Sequence, residues 1–553
     1  MNINGRGDVT SKVSRGRLEG GFPGLLRAAA LIAVPAGAVG SVSLMLLAGH
    51  RNPSRLLIVL FALWVLSPFM ALAGANVVSR CWSALTRATL YVVMLLITLG
   101  SLAIYSALAF GLLSAKPGFV FLVAPAASWL LIAPVVSIAA LISGRKTLPG
   151  RRIFNSVAVL AMLSLLGVGA LFASVWLEQR TELTLPTPTG SFAVGRAIYD
   201  WTDDATLDTL APVPGTKREL LVWIWYPSVA GQSVAMDDYV PAQMRAAAGP
   251  ATGPWRFLTR DASKVHGHST SNSDVSPEQR TYPVVLMRGG ASSGVLNYST
   301  LAEDLASHGY VVVGFDAPYR TGFVVFPDGR VMGRTPENNP ELCAEMEQAQ
   351  QGGCMNKLLM AWTADMAFVL DQLERLNTSD ASDKFTGRLD MTRVGVFGHS
   401  FGGAQAAQFC HDDARCKAGI DVDGQPFGSV IQAGLHQPFM FLLSDHGNSS
   451  DPVSRQIEAN IQSIYDRLPV DTRLRVAIRG AHHFTFSDDG ALLKSYVLRR
   501  TLRVFGKLGI EGRRQLDVTA YCVHSFFDAY LKGPSVSQLE ISSPLFPEIQ
   551  VLK

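Results

Sequence analysis

The chain has 553 residues, of which 48% are hydrophobic and 17% charged, with a formal net charge of +4. That length exceeds one ordinary domain, and so small a basic excess does not mark a nucleic-acid binder. The mean hydropathy is positive, unlike that of most water-soluble proteins, and the apolar excess lies between residues 25 and 177.

Five apolar runs fill that stretch: residues 25–47, 56–77, 88–113, 119–142 and 153–176. Each is long enough to cross about 30 Å of hydrocarbon as a helix. Arg27, near the start of the first run, is placed to snorkel. More spans follow that run, which argues against a cleaved signal peptide. With the N-terminus in the cytoplasm, the inside segments carry Arg6, Lys12, Arg15, Arg17, Arg80, Arg87, Arg145, Lys146, Arg151 and Arg152. The outside loops then carry only Arg51, Arg55 and Lys116, as the positive-inside rule requires. An odd number of spans puts everything after residue 178 on the far side. The expected organisation is a transmembrane all-α bundle over residues 1–180, in a bacterial inner membrane, and a periplasmic or extracellular domain over 181–553.

Thr181–Gly190 is rich in proline and threonine and reads as the linker leaving the bilayer. Lys217–Pro227 reads as a strand, and residues 229–280 as loop or cap. Strand Pro283–Met287, helix Tyr298–His308 and strand Tyr310–Phe315 follow. Residues 318–355 read as a loop-rich insertion holding Cys343 and Cys354. Helix Leu358–Leu376, strands Val394–Phe397, Ala418–Val422, Phe439–Leu443 and Leu474–Ile478, and a closing helix Tyr521–Leu531 complete the order. Strands alternating with helices predict a doubly wound, mostly parallel sheet. The close spacings Cys343/Cys354 and Cys410/Cys416 suit disulfides in an oxidising compartment, with free thiols as the alternative. No C-x-x-C pair or histidine cluster points to zinc, so neither a metal nor a cofactor is expected.

Gly398-His399-Ser400-Phe401-Gly402-Gly403 follows a strand and opens a helix, the setting of a nucleophile elbow. The motif is weak alone, and a second copy stands at Gly290-Ala291-Ser292-Ser293-Gly294. Chain order separates them. A serine hydrolase of this fold needs serine, then an acid, then histidine, each after a strand. Asp423 follows strand 418–422, and His483 follows strand 474–478. Asp421 shares a face with Asp423, and His482 competes with His483; Asp423 is favoured because it stands where the strand ends. Ser292 lies on the first strand–helix unit, whose loop ordinarily supplies an oxyanion N–H. The other such amide is that of Phe401, next to the nucleophile.

The segments PTGSFAVG (187–194), RELLVWIWYP (218–227), YPVVLMRGGASSGVLNYSTLAEDLASHGYVVVGFD (282–316), VGVFGHSFGGAQA (394–406), GIDVDGQPF (419–427) and RGAHHF (479–484) together resemble the platelet-activating-factor acetylhydrolase family of α/β-hydrolases, plasma and type II forms. The resemblance covers about residues 183–550. It implies an α/β-hydrolase fold and a metal-independent carboxylic-ester hydrolase with a Ser400–Asp423–His483 triad and oxyanion amides at Phe401 and Gly290. It also implies short-chain or oxidised phospholipids among the ester substrates, while the apolar runs make the bilayer an expected partner. The family's His-Gly in the oxyanion loop is replaced by Arg288-Gly289. Arg288 is expected to reorder local hydrogen bonds, with an anionic substrate group as the alternative. Two other functions fit the chain: an acyltransferase using the same triad, and a silent binding domain on a membrane protein.

Overall fold

The structure is a computed structural model. It describes residues 22–552 except 50–54, 110–116, 144–168, 171–172, 175, 179, 230–236, 249–259, 272, 292, 347, 446–451, 493–508, 534–538 and 540. Two compact units divide the chain, Met1–Phe172 and Ala173–Lys553.

Among the described residues, the first unit holds four long apolar helices: α1 (Phe22–Ala48), α2 (Arg55–Val78), α3 (Ala84–Ala109) and α4 (Pro117–Ser143). Segments Gly24–Ala48, Ile58–Val78 and Ala84–Ala109 are long and apolar enough to cross a membrane. The fourth run forms α4; the fifth lies almost wholly outside the described residues. Leu25, Ile32 and Val39 stand exposed on α1, Leu63 and Met70 on α2, and Leu96 and Leu99 on α3. Helices apolar on the outside as well as the inside suit hydrocarbon rather than water. A Cβ on Gly37 or Gly40 of α1 would overlap Thr98 or Leu102 of α3, so small residues set that close approach. Trp64 Nε1 donates to the Leu122 carbonyl at 3.0 Å and Trp129 Nε1 to Ser67 Oγ at 2.9 Å, tying α2 to α4.

The second unit is built on a ten-stranded sheet. Its strands are β1 (Ala193–Leu207), β2 (Lys217–Ser228), β3 (Ser269–Ser271), β4 (Tyr282–Arg288), β5 (Val311–Asp316), β6 (Leu389–His399), β7 (Cys416–Val422), β8 (Phe439–Leu443), β9 (Arg473–Ile478) and β10 (Ile549–Val551). Across the sheet they run β10-β9-β8-β7-β6-β4-β5-β2-β1-β3. Strands β4 to β9 are mutually parallel. Strand β2 runs antiparallel to both β5 and β1, and β10 antiparallel to β9. The sheet is therefore mixed, with its parallel part at the centre.

Alternate residues of each central strand feed opposite cores, as the two-residue period requires. Val284 and Leu286 of β4 pack with helices α6 (Gln348–Thr378), α7 (Phe401–Asp412) and α8 (Pro452–Tyr465). Val285 and Met287 pack with α5 (Ser299–Ser307) and α9 (Gly512–Phe527) on the other face. Several features depart from the expected elements. Strand β1 was not anticipated, nor was α8. Helix α6 starts ten residues before Leu358, at Gln348, and so includes Cys354. The insertion before it holds a small hairpin, Phe323–Val325 with Val331–Gly333. Helix α9 begins at Gly512 rather than Tyr521 and runs into a π-turn over Asp528–Lys532. Disulfides join Cys343 to Cys354 and Cys410 to Cys416, with Cα separations of 5.6 and 5.1 Å.

Candidate active site

The parallel strands β6, β7 and β9 deliver three side chains to one end of the sheet. Ser400 sits between β6 and α7 at φ 59° and ψ −124°, a backbone state that most side chains avoid. Its N–H donates to the Val422 carbonyl at 2.9 Å, which locks the turn onto β7. The surrounding glycines are required by space. A Cβ on Gly398 would overlap the Gly402 carbonyl, and one on Gly402 the carbonyls of Arg288 and Gly289. The turn leaves Ser400 at the positive end of α7.

Asp423 stands just beyond β7 at φ 54°. Its N–H donates to the Leu442 carbonyl at 2.8 Å, and its Oδ1 accepts the Ser444 N–H at 2.7 Å. Its Oδ2 lies 2.7 Å from His483 Nδ1, and His483 Nε2 lies 3.0 Å from Ser400 Oγ. The Asp423 side chain is fully buried while that of His483 is one-third exposed. One nitrogen of His483 thus meets a buried carboxylate and the other a hydroxyl. His482 is clamped elsewhere: its N–H donates to Gln515 Oε1 at 3.0 Å, and its carbonyl accepts Gln515 Nε2 at 2.9 Å. Asp421 points back toward α7, with its Oδ1 accepting the Gly424 N–H at 2.7 Å.

The oxyanion loop differs from the expectation in one respect. Gly290 does lie against Ser400, since a Cβ on it would be 3.3 Å from Ser400 Cβ. Its N–H, however, donates to Tyr298 Oη at 3.0 Å. Tyr298 Oη in turn lies 2.8 Å from His399 Nδ1. The His399 ring stands 4.6 Å from that of His483. Burial first, then the neighbouring His483, lowers His399 to about 3, so it stays neutral and accepts from Tyr298. Neither Tyr298 nor His399 was singled out from sequence. His399 is the variable residue before the nucleophile, and Tyr298 carries no motif signal. Ser292 lies outside the described residues.

Arg288 is buried beneath this loop. Its Nε donates to Gln405 Oε1 at 3.0 Å, and Nη1 donates to the Phe315 carbonyl. The guanidinium lies 3.7 Å from the Phe315 ring centre and 4.4 Å from that of Trp362. It therefore directs its donors to hydrogen bonds under the loop. A small cleft opens beside it, walled by Gly290, Asp316, Trp362, Phe401 and Gln405. Burial raises the Asp316 carboxyl to about 6.

A second cluster was hidden by sequence distance. Asp304 and His308 on or beside α5 meet His524 on α9, a grouping whose residue types can hold a metal ion. The group is already knit together. His524 Nδ1 is 2.9 Å from Asp304 Oδ2, Thr189 Oγ1 donates to Asp304 Oδ1 at 2.7 Å, and His308 Nε2 lies 2.9 Å from Thr189 Oγ1. The two imidazoles stack at 4.0 Å.

The family model described as platelet-activating factor acetylhydrolase, isoform II, matches residues 337–533, which include Ser400, Asp423 and His483. A probable 1-alkyl-2-acetylglycerophosphocholine esterase of Arthroderma benhamiae is 26% identical over 67% of this chain and 94% of its own length. The platelet-activating factor acetylhydrolase of Cavia porcellus is 24% identical over 45% of this chain and 58% of its own. Among solved structures, a ferulic acid esterase from Streptomyces cinnamoneus aligns with a TM-score of 0.54 and 26% identity, over 68% of this chain and all of its own. Residues 337–533 match the platelet-activating factor acetylhydrolase, isoform II family, and the chain is a carboxylic-ester hydrolase.

Proposed function

We propose that this chain is a membrane-anchored serine ester hydrolase that works through Ser400, His483 and Asp423 and cleaves short acyl groups from phospholipids. The observation that carries the reading is His483 itself, 3.0 Å from Ser400 Oγ on one nitrogen and 2.7 Å from buried Asp423 on the other. Ser400 Oγ attacks the ester carbonyl as His483 Nε2 takes its proton. Asp423 holds the ring in the tautomer this needs and stabilises the imidazolium. The tetrahedral oxyanion forms at the start of α7, against the Phe401 N–H. Gly290 adds a second donor when the Tyr298 hydroxyl releases its amide. His483 then protonates the leaving alkoxide. In the second half it deprotonates a water, which attacks the acyl carbon, and Ser400 recovers its proton as the acid departs.

One observation supports the substrate class. One relative carries the name of an esterase of 1-alkyl-2-acetylglycerophosphocholine. The apolar helices of the first unit serve as the anchor on this reading. Ser400→Ala is expected to lower p-nitrophenyl acetate turnover by ~10⁶-fold and to abolish labelling by a fluorophosphonate, with the fold intact by circular dichroism. Retained turnover would remove Ser400 from this role. Wild-type enzyme should favour acetyl over palmitoyl esters of the same phenol and of glycerophosphocholine; equal rates would reject the short-acyl preference.

A further inference from the structure

Two carboxyl groups stand two residues apart at the end of β7, and only Asp423 touches His483. Asp421 is fully buried. Its Oδ1 receives the Gly424 N–H and lies so close to Gly403 and Gly424 that a Cβ on either would overlap it. Gly403 belongs to the first turn of α7, directly behind Ser400. Gly424 follows Asp423, and its Cα packs under the Ser400 carbonyl. The Asp421 carboxyl is therefore a wedge between the helix that carries the nucleophile and the loop that carries the acid. Its second oxygen is buried without a hydrogen-bond partner.

The charges around it are few. Asp423, on the same strand, is the charged group that acts on it. The residues opposite it are Gly398 on β6 and Phe441 on β8, with Gly403 on α7, and none of these ionises. A carboxylate with one amide donor, out of water and beside a second carboxylate, is more costly than the protonated acid.

We propose that Asp421 is a positioning residue that works as the neutral acid, seating Asp423 against His483, and that its ionisation ends activity on the alkaline side. The proposal rests on the triad reading above. Burial raises the Asp421 carboxyl to about 8, with the Gly424 N–H opposing and Asp423 reinforcing. Loss of the proton to solvent base leaves a negative charge with one donor, facing Asp423. The wedge then pushes the acid loop away, and His483 loses its alignment.

The test is the pH dependence of p-nitrophenyl acetate hydrolysis by the full-length chain in detergent. Wild type should lose kcat/KM above about pH 8. Asp421→Asn keeps the acceptor for Gly424 and cannot ionise; it should retain activity within ~3-fold at neutral pH and show no decline to pH ~9.5. Asp421→Ala removes the wedge and should lower kcat by ~10²-fold with little change in KM. Asp423→Asn should be impaired at every pH. A wild-type profile flat to pH ~9.5, or an alkaline decline that persists in Asp421→Asn, overturns the proposal alone. So does a folded Asp421→Asn as inactive as Asp421→Ala. A fully active Asp423→Asn overturns the triad reading and this proposal with it.

Discussion

No carbon atom fits behind Ser400. Gly402 backs onto the carbonyls of Arg288 and Gly289, so Gly402→Ala should cost about 1–3 kcal/mol of stability, the usual range for overpacking, and most of the esterase activity. Urea melts with parallel p-nitrophenyl acetate assays measure both. Asp488 offers a pH test. It is fully buried, and its carboxylate oxygens accept the Ser299 and Thr300 N–H groups at 2.9 and 3.1 Å at the start of α5. Burial raises it from 3.8 to about 8. Between those values the native state holds a proton that the unfolded chain has released, so stability is present below the lower value and is lost as pH rises through the upper one. Asp488→Asn should flatten that decline, read as the change in Tm between pH ~5 and ~8.5; an unchanged slope would mean that Asp488 is not its source. At this scale, residues placed by strand ends are readable from sequence. Ser400, Asp423 and His483 each follow a strand in the order an elbow demands, and the structure brings them within hydrogen-bond reach. Tyr298 and His399 are not readable, because their contact spans 101 residues and neither has a motif. The Gly290 N–H cannot be read as occupied until Tyr298 is seen beside it.

Among the elements, α7 and β7 form the short unit that joins nucleophile to acid, and Cys410–Cys416 staples the end of one to the start of the other. By the chain-entropy account a loop this short contributes about 2 kcal/mol. Cys410→Ala with Cys416→Ala should lower the denaturation midpoint accordingly; a midpoint unchanged under non-reducing conditions would show that the pair does not stabilise the fold. The contact of α1 with α3 depends on Gly37, where a side chain would meet Thr98. Gly37→Leu should lower the thermal stability of the detergent-solubilised chain. Central strands such as β4 and β7 are legible as unbroken apolar runs, because both of their faces are covered. Strand β1 is not. It lies beside the short edge strand β3, its exposed residues alternate with half-buried ones, and charges such as Asp200 and Asp203 interrupt the apolar pattern. Helix α8 escaped for a similar reason, burying only Ile461, Ile464 and Tyr465 along an otherwise polar surface.

For the whole molecule, the two disulfides and the membrane segment bear on one question. Basic residues sorted along the apolar runs place the catalytic unit outside the cytoplasm on the proposed reading, and an oxidising compartment is where Cys343–Cys354 and Cys410–Cys416 would persist. Alkylation of the denatured, unreduced chain from intact cells should therefore count Cys81 and Cys522 as the two thiols among six cysteines; six reactive thiols would argue for a cytoplasmic site. The mixed sheet has a further bearing on how this enzyme can be handled. Strand β10 lines the outer edge of β9, the strand that leads into His483. Arg479 N–H donates to the Glu548 carbonyl and Leu552 N–H to that of Arg475, both at 2.8 Å, while Arg514 grips Glu548 from α9 at 2.9 Å. Residues 548–552 are thus a splint on the strand that leads into His483. Substitutions that break this pairing are expected to lower activity before they lower the melting temperature, so activity is the earlier reporter of damage there. Immobilisation for use as a catalyst is better made through the opposite sheet edge, near β3, where the tether loads neither His483 nor Asp423.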